Sequence, residues 1–286
     1  MVLNLLTLDW DFFFTASEEV RKRCFQIYWA EDVPQDVVQF AWAMSYCDFA
    51  DELLDIKVKP ETYEILHKIK LKRSAPVVIC RTHEHAYYFF SRMLRDYRKT
   101  PRLNLLNMDH HSDTLHEIKG LTGPMEKGVH CGNWLYCFMQ EAKGNYYWLC
   151  NEDSVKIDLP PSMKFCTDIK DTPLDSLAWD AVLICRSDIW SPPHLDDDFT
   201  KIFKSYIDGK YSSVIEPDIW QSRYPVIRDL AHDIKEPPAD FPEDGRKMLQ
   251  AKKNEYVAIR TSCWKSYRQS SVIEKFIKKF RPEIFK

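Results

Sequence analysis

Short apolar runs recur along the chain, separated by stretches in which hydrophobic residues return at helical spacing. Leu3–Leu8, Val77–Cys80, Leu103–Met108, Tyr146–Leu149, Met163–Cys166 and Ala181–Cys185 are four to six residues long, the length of a strand and too short for a buried helix. They show little polar alternation, as expected of strands covered on both faces in a parallel sheet. Tyr256–Arg260 reads as a last strand.

Between these runs lie helix signals. Ser17 followed by Glu18 and Glu19 is a cap and an acidic first turn, opening a helix toward Tyr28. Pro34 can start a second helix carrying Val38, Ala41, Trp42 and Met44, and Pro60 a third through Ile65 and Ile69. Further helices are expected through Tyr88 and Met93, near Asn133–Ala142 and over Asp196–Ile207. Strands alternating with helices predict an α/β fold with three αβα layers around a mostly parallel central sheet. At 286 residues and 45% hydrophobic, the chain can bury one large core, and residues 1–286 are expected to form a single domain. No repeat or low-complexity tract interrupts it; the Pro- and acid-rich stretch Glu236–Gly245 reads as a surface excursion.

Composition then excludes partners. A formal charge of -3 gives no global positive field for nucleic acid or an anionic membrane. No apolar run approaches the roughly 18 residues of a membrane span. The nine cysteines are scattered and never in CxxC spacing, the pattern of reduced thiols, so a cytoplasmic location is expected. Basic clusters at Arg21–Arg23, Lys68–Arg73 and Lys278–Arg281 read as solvated helix faces. Most aromatics belong to the core, with Trp10, Trp134 and Trp190 as candidates for a rim that grips substrate.

Chemistry gathers where strands end. "LDWDFFF" supplies Asp9 and Asp11, which share a face if the segment stays extended. "ICRTHEHA" supplies His83 and His85. "MDHHSD" supplies Asp109, His111 and Asp113 on one face, with His110 and Ser112 on the other. Alone, an Asp-x-Asp is commonly a turn or cap and a His-x-His commonly structural. Three such sets at three strand ends, where open parallel sheets bind their ligands, point to one shared task. Massed carboxylates raise one another's pKa unless a cation neutralises them. Carboxylate and imidazole donors without thiolates suit Mn²⁺, and Fe²⁺ or Zn²⁺ less selectively.

These residues resemble a known family. Asp109-His110-His111-Ser112-Asp113 is similar to the Asp-x-His-x-Asp signature of the arginase–deacetylase (ureohydrolase) superfamily, His83 to its earlier His ligand, and Cys131-Gly132-Asn133 to its Ser-Gly-Asn turn. Within it the chain resembles the peptide arginases, which convert arginine side chains of a ribosomally synthesised precursor peptide to ornithine and carry Leu-Asp-x-Asp-Phe-Phe near the N-terminus. "LDWDFF" stands here at residues 8–13. The likeness spans Leu8 to Asn133 and thins after Ile189. It departs from standard arginases twice. Their late Ser-x-Asp-x-Asp strand has its counterpart in "VLICRSDIWSPP", with Arg186 and a single Asp188, so the N-terminal Asp pair is expected to take over. Their proton-shuttling His is replaced by Leu135, leaving His130 or His116 as substitutes.

The resemblance implies two Mn²⁺ ions, with Asp109 and Asp9 bridging, His83 and Asp113 completing one coordination sphere, and His111 and Asp11 the other. A water activated between them attacks the guanidinium carbon and releases urea. Gly132 and Asn133 would contact substrate, and Asp188, Glu84 or Glu216 would face the guanidinium, Asp188 first. Three rival classes remain: a one-metal deacetylase, an amidinohydrolase acting on a free guanidino compound, and a non-catalytic metal-stabilised peptide-binding module.

Overall fold

The computed structural model describes residues 2–25, 35–97, 101–114, 128–156, 159–204, 212–236, 243–247, 249–258 and 261. In chain order the described elements are β1 (Val2–Asp9), a 3₁₀ turn (Trp10–Phe13), α1 (Glu18–Cys24), α2 (Gln35–Leu54), α3 (Thr62–His67), β2 (Lys70–Leu71), β3 (Val77–Cys80), α4 (His85–Arg95) and β4 (Arg102–Met108). They continue with α5 (Trp134–Glu141), β5 (Gly144–Leu149), β6 (Met163–Cys166), β7 (Ala178–Trp179), β8 (Ala181–Cys185), α6 (Asp196–Phe203), β9 (Ser212–Val214) and α7 (Tyr224–Lys235).

Seven strands form one sheet in the order β6-β5-β4-β1-β8-β3-β9, every neighbouring pair parallel. β2 and β7 make a separate two-stranded ribbon. The apolar runs are continuous because both faces are covered. In β1, Leu3 and Leu5 pack with Phe90, Trp134 and Phe138 of α4 and α5, while Leu6 and Leu8 pack with Trp42, Phe199 and Ile227 of α2, α6 and α7. β4, β3 and β8 divide their side chains in the same alternating way, as the two-residue period of a strand requires. The result is the expected three-layer αβα arrangement. β5 lies tight against β4: a Cβ at Gly144 would overlap the Leu103 carbonyl, so no larger residue fits there.

Several expected elements differ from the observed ones. Tyr256–Ala258 are helical, within residues 249–258, and Tyr256 is buried against the Phe40 ring at 5.6 Å; its β-branched neighbours suggest a strand, but packing on α2 decides otherwise. α7 has no counterpart in the sequence expectations. Arg21 is not on a solvated face: it is fully buried. The far ends of the Ser17 and Asp196 helices and the Lys278–Arg281 cluster lie outside the described residues. No helix among the described residues is long and apolar enough to cross a membrane.

Candidate metal centre

Parallel pairing sets four strand ends level with one another. Leu8 stands opposite Met108, Asp9 opposite Cys185 and Cys80 opposite Cys185, so β4, β1, β8 and β3 deliver their next residues to one place. The chain leaves β1 for β3 on one side and later crosses to β4 on the other, making this a point where the strand order reverses, the usual ligand crevice of such sheets.

Asp9 closes β1, and the other ligand candidates arrive on turns just past a strand end. After Asp9 the chain turns into the 3₁₀ segment, with Asp9 as its N-cap accepting from Asp11 N at 3.1 Å. The expectation that Asp9 and Asp11 share a face of an extended segment is therefore corrected: the strand places Asp9, and the turn brings Asp11 inward beside it. Asp113 sits at φ 52°, a left-handed conformation that Asp tolerates better than most residues, and its Oδ2 accepts from Trp134 Nε1 at 2.6 Å. Asp109 Oδ1 accepts from His111 N at 2.7 Å.

Two overlapping groups result, Asp9–His83–Asp109 and Asp11–Asp109–His111, each able to hold a metal ion, with Asp109 common to both. His83 Nδ1 lies 3.1 Å from Asp9 Oδ2, 3.0 Å from Asp109 Oδ2 and 2.9 Å from Asp113 Oδ2, which adds Asp113 to the first group. His111 Nδ1 lies 2.9 Å from Asp11 Oδ2. Two donors roughly 2.1 Å from one cation and at right angles stand about 3.0 Å apart, so the first group's separations suit a shared cation. These close approaches lack hydrogen-bond geometry: His83 Nδ1 and Asp11 Oδ2, like His83 Nε2, make no hydrogen bond among the described residues. Buried polar atoms seldom remain so, and a cation would satisfy them.

The electrostatics agree. Burial and then the charges of Asp113, Asp9 and Asp11 raise the Asp109 carboxyl well above its ordinary range. Burial and Asp11 likewise raise Asp9, against the pull of His83. Burial opposes a charged His83, but Asp109, Asp113 and Asp9 outweigh it and raise the imidazole well above its usual value. Without a metal, the centre gathers protons to spread its negative charge.

The remaining candidates divide. His110 points away, as its alternation implied, with Nε2 2.9 Å from Glu18 Oε2 and Nδ1 2.9 Å from Asn151 Nδ2. His85 begins α4 and lies 3.5 Å from Glu216, apart from the cluster. Asp188 is buried and gripped by its own chain: Arg186 Nε to Oδ1 at 2.6 Å and Nη2 to Oδ2 at 2.9 Å, with Arg81 Nε at 3.5 Å and Arg223 Nη1 at 3.6 Å. Trp10 and Trp134 are fully buried and no rim; Trp134 instead positions Asp113. A pocket of about 200 Å³ opens beside His83, lined by Arg81, Glu84, Cys131, Asp188, Ile189 and Trp190 among others. Trp190 also lies against the His111 ring at 4.8 Å. His130, Gly132 and Asn133 form the turn before α5: Asn133 Oδ1 accepts from His130 N at 2.8 Å, and His130 Nδ1 from Gly132 N at 3.2 Å. His116 lies outside the described residues.

Two contributors carry no motif. Ser187, at φ 53°, donates its hydroxyl to Asp9 Oδ2 at 2.5 Å. Arg21 places Nη1 3.6 Å from Asp11 Oδ2. The i, i+4 spacing of Arg21 from Ser17 marks the inner turn of α1, but nothing in the sequence says that its charge is wanted inside.

Fold and site together define a parallel α/β protein whose strand ends build a buried carboxylate–imidazole centre able to hold a metal ion. Comparison of the chain with protein-family models, with curated proteins and with solved structures returned no match.

Proposed function

We propose that this protein is a manganese-dependent hydrolase of the arginase type that converts arginine side chains of a ribosomally made precursor peptide to ornithine and releases urea. One observation carries the reading: six residues from three separate sequence motifs meet in two groups that share Asp109, beside a pocket lined by two carboxylates, Glu84 and Asp188, and the ring of Trp190. In this reading Asp9, His83, Asp109 and Asp113 hold one Mn²⁺, and Asp11, Asp109 and His111 the other. When bound, the pair of ions supplies a nucleophile drawn from water near neutral pH and polarises the group under attack.

The chain's own residues do the rest. A cationic guanidinium leaving water needs a carboxylate opposite it. Asp188 already holds a guanidinium, that of Arg186, so Glu84 on the pocket wall is assigned to the substrate and Asp188 to the framework. Trp190 offers its face to the guanidinium plane. His130 Nδ1 accepts from Gly132 N, which leaves the neutral ring's proton on Nε2, the atom assigned to protonate the departing amine. The pocket is smaller than the roughly 300–1,000 Å³ typical of sites that swallow whole small ligands. It suits one side chain entering from a peptide that stays outside.

The test is direct. Full-length protein with Mn²⁺ and an arginine-containing peptide should yield urea and a peptide lighter by about 42 Da, the mass of CN₂H₂ removed by hydrolysis. Free arginine should be turned over far more slowly. Equal turnover of free arginine would move the assignment to a small-molecule amidinohydrolase. Metal uptake without urea from either substrate would favour the non-catalytic module.

A further inference from the structure

The two ligand groups face different surroundings. Asp9, Asp109 and Asp113 ion-pair, among the described residues, only with the imidazoles of His83 and His111. Their other polar contacts are neutral: Ser187 Oγ to Asp9, Asn107 Nδ2 to Asp109 and Trp134 Nε1 to Asp113. Three carboxylates thus converge on the His83 side with no arginine or lysine paired to them.

Behind Asp11 the situation is reversed. α1 inserts the Arg21 guanidinium between the metal loop and the core. Nη2 donates to the Asp11 carbonyl at 2.6 Å, Nε to the Ala16 carbonyl at 3.2 Å, and the plane lies over the Phe14 ring at 4.6 Å. Nη1 stands 3.6 Å from Asp11 Oδ2, and full burial keeps water from screening it. Lys59 adds a second positive charge nearby, its Nζ donating to the Phe12 carbonyl at 2.6 Å. A cation bound by Asp11 would therefore share that carboxylate with a fixed positive charge, since Arg21 Nη1 and His111 Nδ1 both approach Oδ2. At the His83 position, among the described residues, no guanidinium or ammonium is paired with a ligand carboxylate; Arg81 on the pocket wall is paired with Asp188 and Asp218 instead.

We infer that the two metal positions are unequal by construction: Arg21 weakens the Asp11–His111 position, so the protein holds one divalent ion at rest and completes its centre only as free metal rises. This rests on the two-ion reading above and makes the guanidinium of Arg21 the element that sets the metal concentration at which the centre fills. Unlike charges held this close inside a protein interact far more strongly than in water, and so do like ones.

Calorimetric titration of metal-free, full-length protein with Mn²⁺ alone tests it, reading binding and not turnover. Two steps should appear, separated by at least about tenfold in Kd, a difference of about 1.4 kcal/mol. His111→Ala should remove the weaker step and keep the tighter one. Arg21→Gln, which keeps a donor for the two carbonyls but loses the charge, should narrow the gap by about tenfold, and Arg21→Lys should preserve it. Two equal steps, loss of the tighter step in His111→Ala, or an unchanged gap in Arg21→Gln would overturn the inference and leave the two-ion reading standing. If Arg21→Gln fails to fold, Arg21→Met is titrated in its place with the same two outcomes, while His111→Ala decides which position is the weaker. Absence of any binding step would remove the metal reading itself.

Discussion

The candidate metal centre and the arginine network beside it are both buried and both charged, yet their charges are settled in opposite ways. In the network, Arg186 grips Asp188 through two hydrogen bonds and Arg223 grips Asp196 through Nε at 2.7 Å and Nη2 at 2.6 Å. Arg81 joins them between Asp188 at 3.5 Å and Asp218 at 2.6 Å, so three cations meet three anions, and further guanidinium hydrogens of Arg186 and Arg223 go to backbone carbonyls of Ile219, Asp188 and Ser191. In the centre, four carboxylates crowd two imidazoles with Arg21 alone as a paired guanidinium. A closed network needs no ligand and fixes the chain; an open one is stable only with cations or protons added. The same residue type, Asp after a strand, serves as framework at 188 and as ligand candidate at 9 and 109, and only the neighbours decide which.

The largest expected effect breaks the open side of this contrast. Asp109→Ala removes the carboxylate common to both groups, so metal uptake and urea release should both vanish. Circular dichroism should show the fold intact, because the lost side chain relieves crowding among Asp9, Asp11 and Asp113. Elemental analysis of the purified variant checks the first point, and an active, metal-replete variant would sink the two-ion reading.

Breaking the closed side should instead cost stability. Arg223→Met leaves Asp196 and part of Asp188 buried without their partner, a loss of about 3–5 kcal/mol, seen as a lower midpoint in urea unfolding. The metal-free protein should show it as fully as the loaded one. A variant with wild-type stability would mean that the network is not the framework its geometry implies.

How far all this is legible in the sequence follows from the same contrast. The sheet was readable because β1, β4 and β8 are buried on both faces, and continuous apolar runs leave few alternatives. The meeting of the candidate ligands was readable because Asp109, His111, Asp113, His83, Asp9 and Asp11 sit at or just after the ends of β4, β3 and β1, where a parallel sheet puts them together. The local geometry was not. The 3₁₀ turn at Trp10–Phe13 and the left-handed Asp113 are set by tertiary contacts such as Trp134 Nε1, which no local pattern announces. Asp188 misled because pairing with Arg186 two residues earlier looks, in sequence, like an unpaired acid at a strand end. Arg21 misled because Arg21-Lys22-Arg23 is an unbroken basic run, as a solvated helix face often carries, and its burial depends on Asp11 arriving from another element. α7 was missed because Pro225 and the charges at Arg228, Asp229 and Asp233 obscure its single buried stripe of Ile227 and Ala231.

A smaller effect sharpens the contrast at the boundary between the two clusters. Ser187 lies between Arg186 and Asp188 but turns its hydroxyl to Asp9. Ser187→Gly removes that donor while relieving a positive φ that glycine adopts freely. Metal affinity should fall by about 10-fold to 100-fold, as for other groups that orient a ligand, while thermal stability of the metal-free protein holds or rises. Unchanged affinity would show that Asp9 needs no such positioning.

The smallest expected effect is a pH dependence, whose sign follows from the shifts in the metal-free centre. Asp109 and His83 both bind protons more tightly in the folded protein than their ordinary values of 3.8 and 6.5. For Asp109 the stabilisation is fully present below about pH 4 and is lost as pH rises through its raised pKa. For His83 it is fully present below about pH 6.5 and lost in the same direction. Asp11 is shifted the opposite way: burial opposes its charge, but His111 and Arg21 hold its carboxyl well below the usual range, so its contribution is complete once pH exceeds about 4. Above that point Asp109 and His83 contribute less as pH rises, by at most about 1.4 kcal/mol per unit for each proton displaced, while His110, whose pKa burial and the charge of Arg21 lower to about 4, gains in the opposite sense only up to about pH 6.5. Bound metal displaces those protons, so its stabilisation should grow over the same range. The rise in Tm on adding Mn²⁺ should therefore be larger at pH 8 than at pH 6, by about 2–4 °C for each kcal/mol in a chain of this size. Scanning fluorimetry of full-length protein with and without Mn²⁺ measures it. In Arg223→Met the metal-induced shift should keep the same pH trend, because Arg223 pairs with Asp188 and Asp196 and not with the candidate ligands. A shift that shrinks with pH would mean that protons and metal do not compete for one centre.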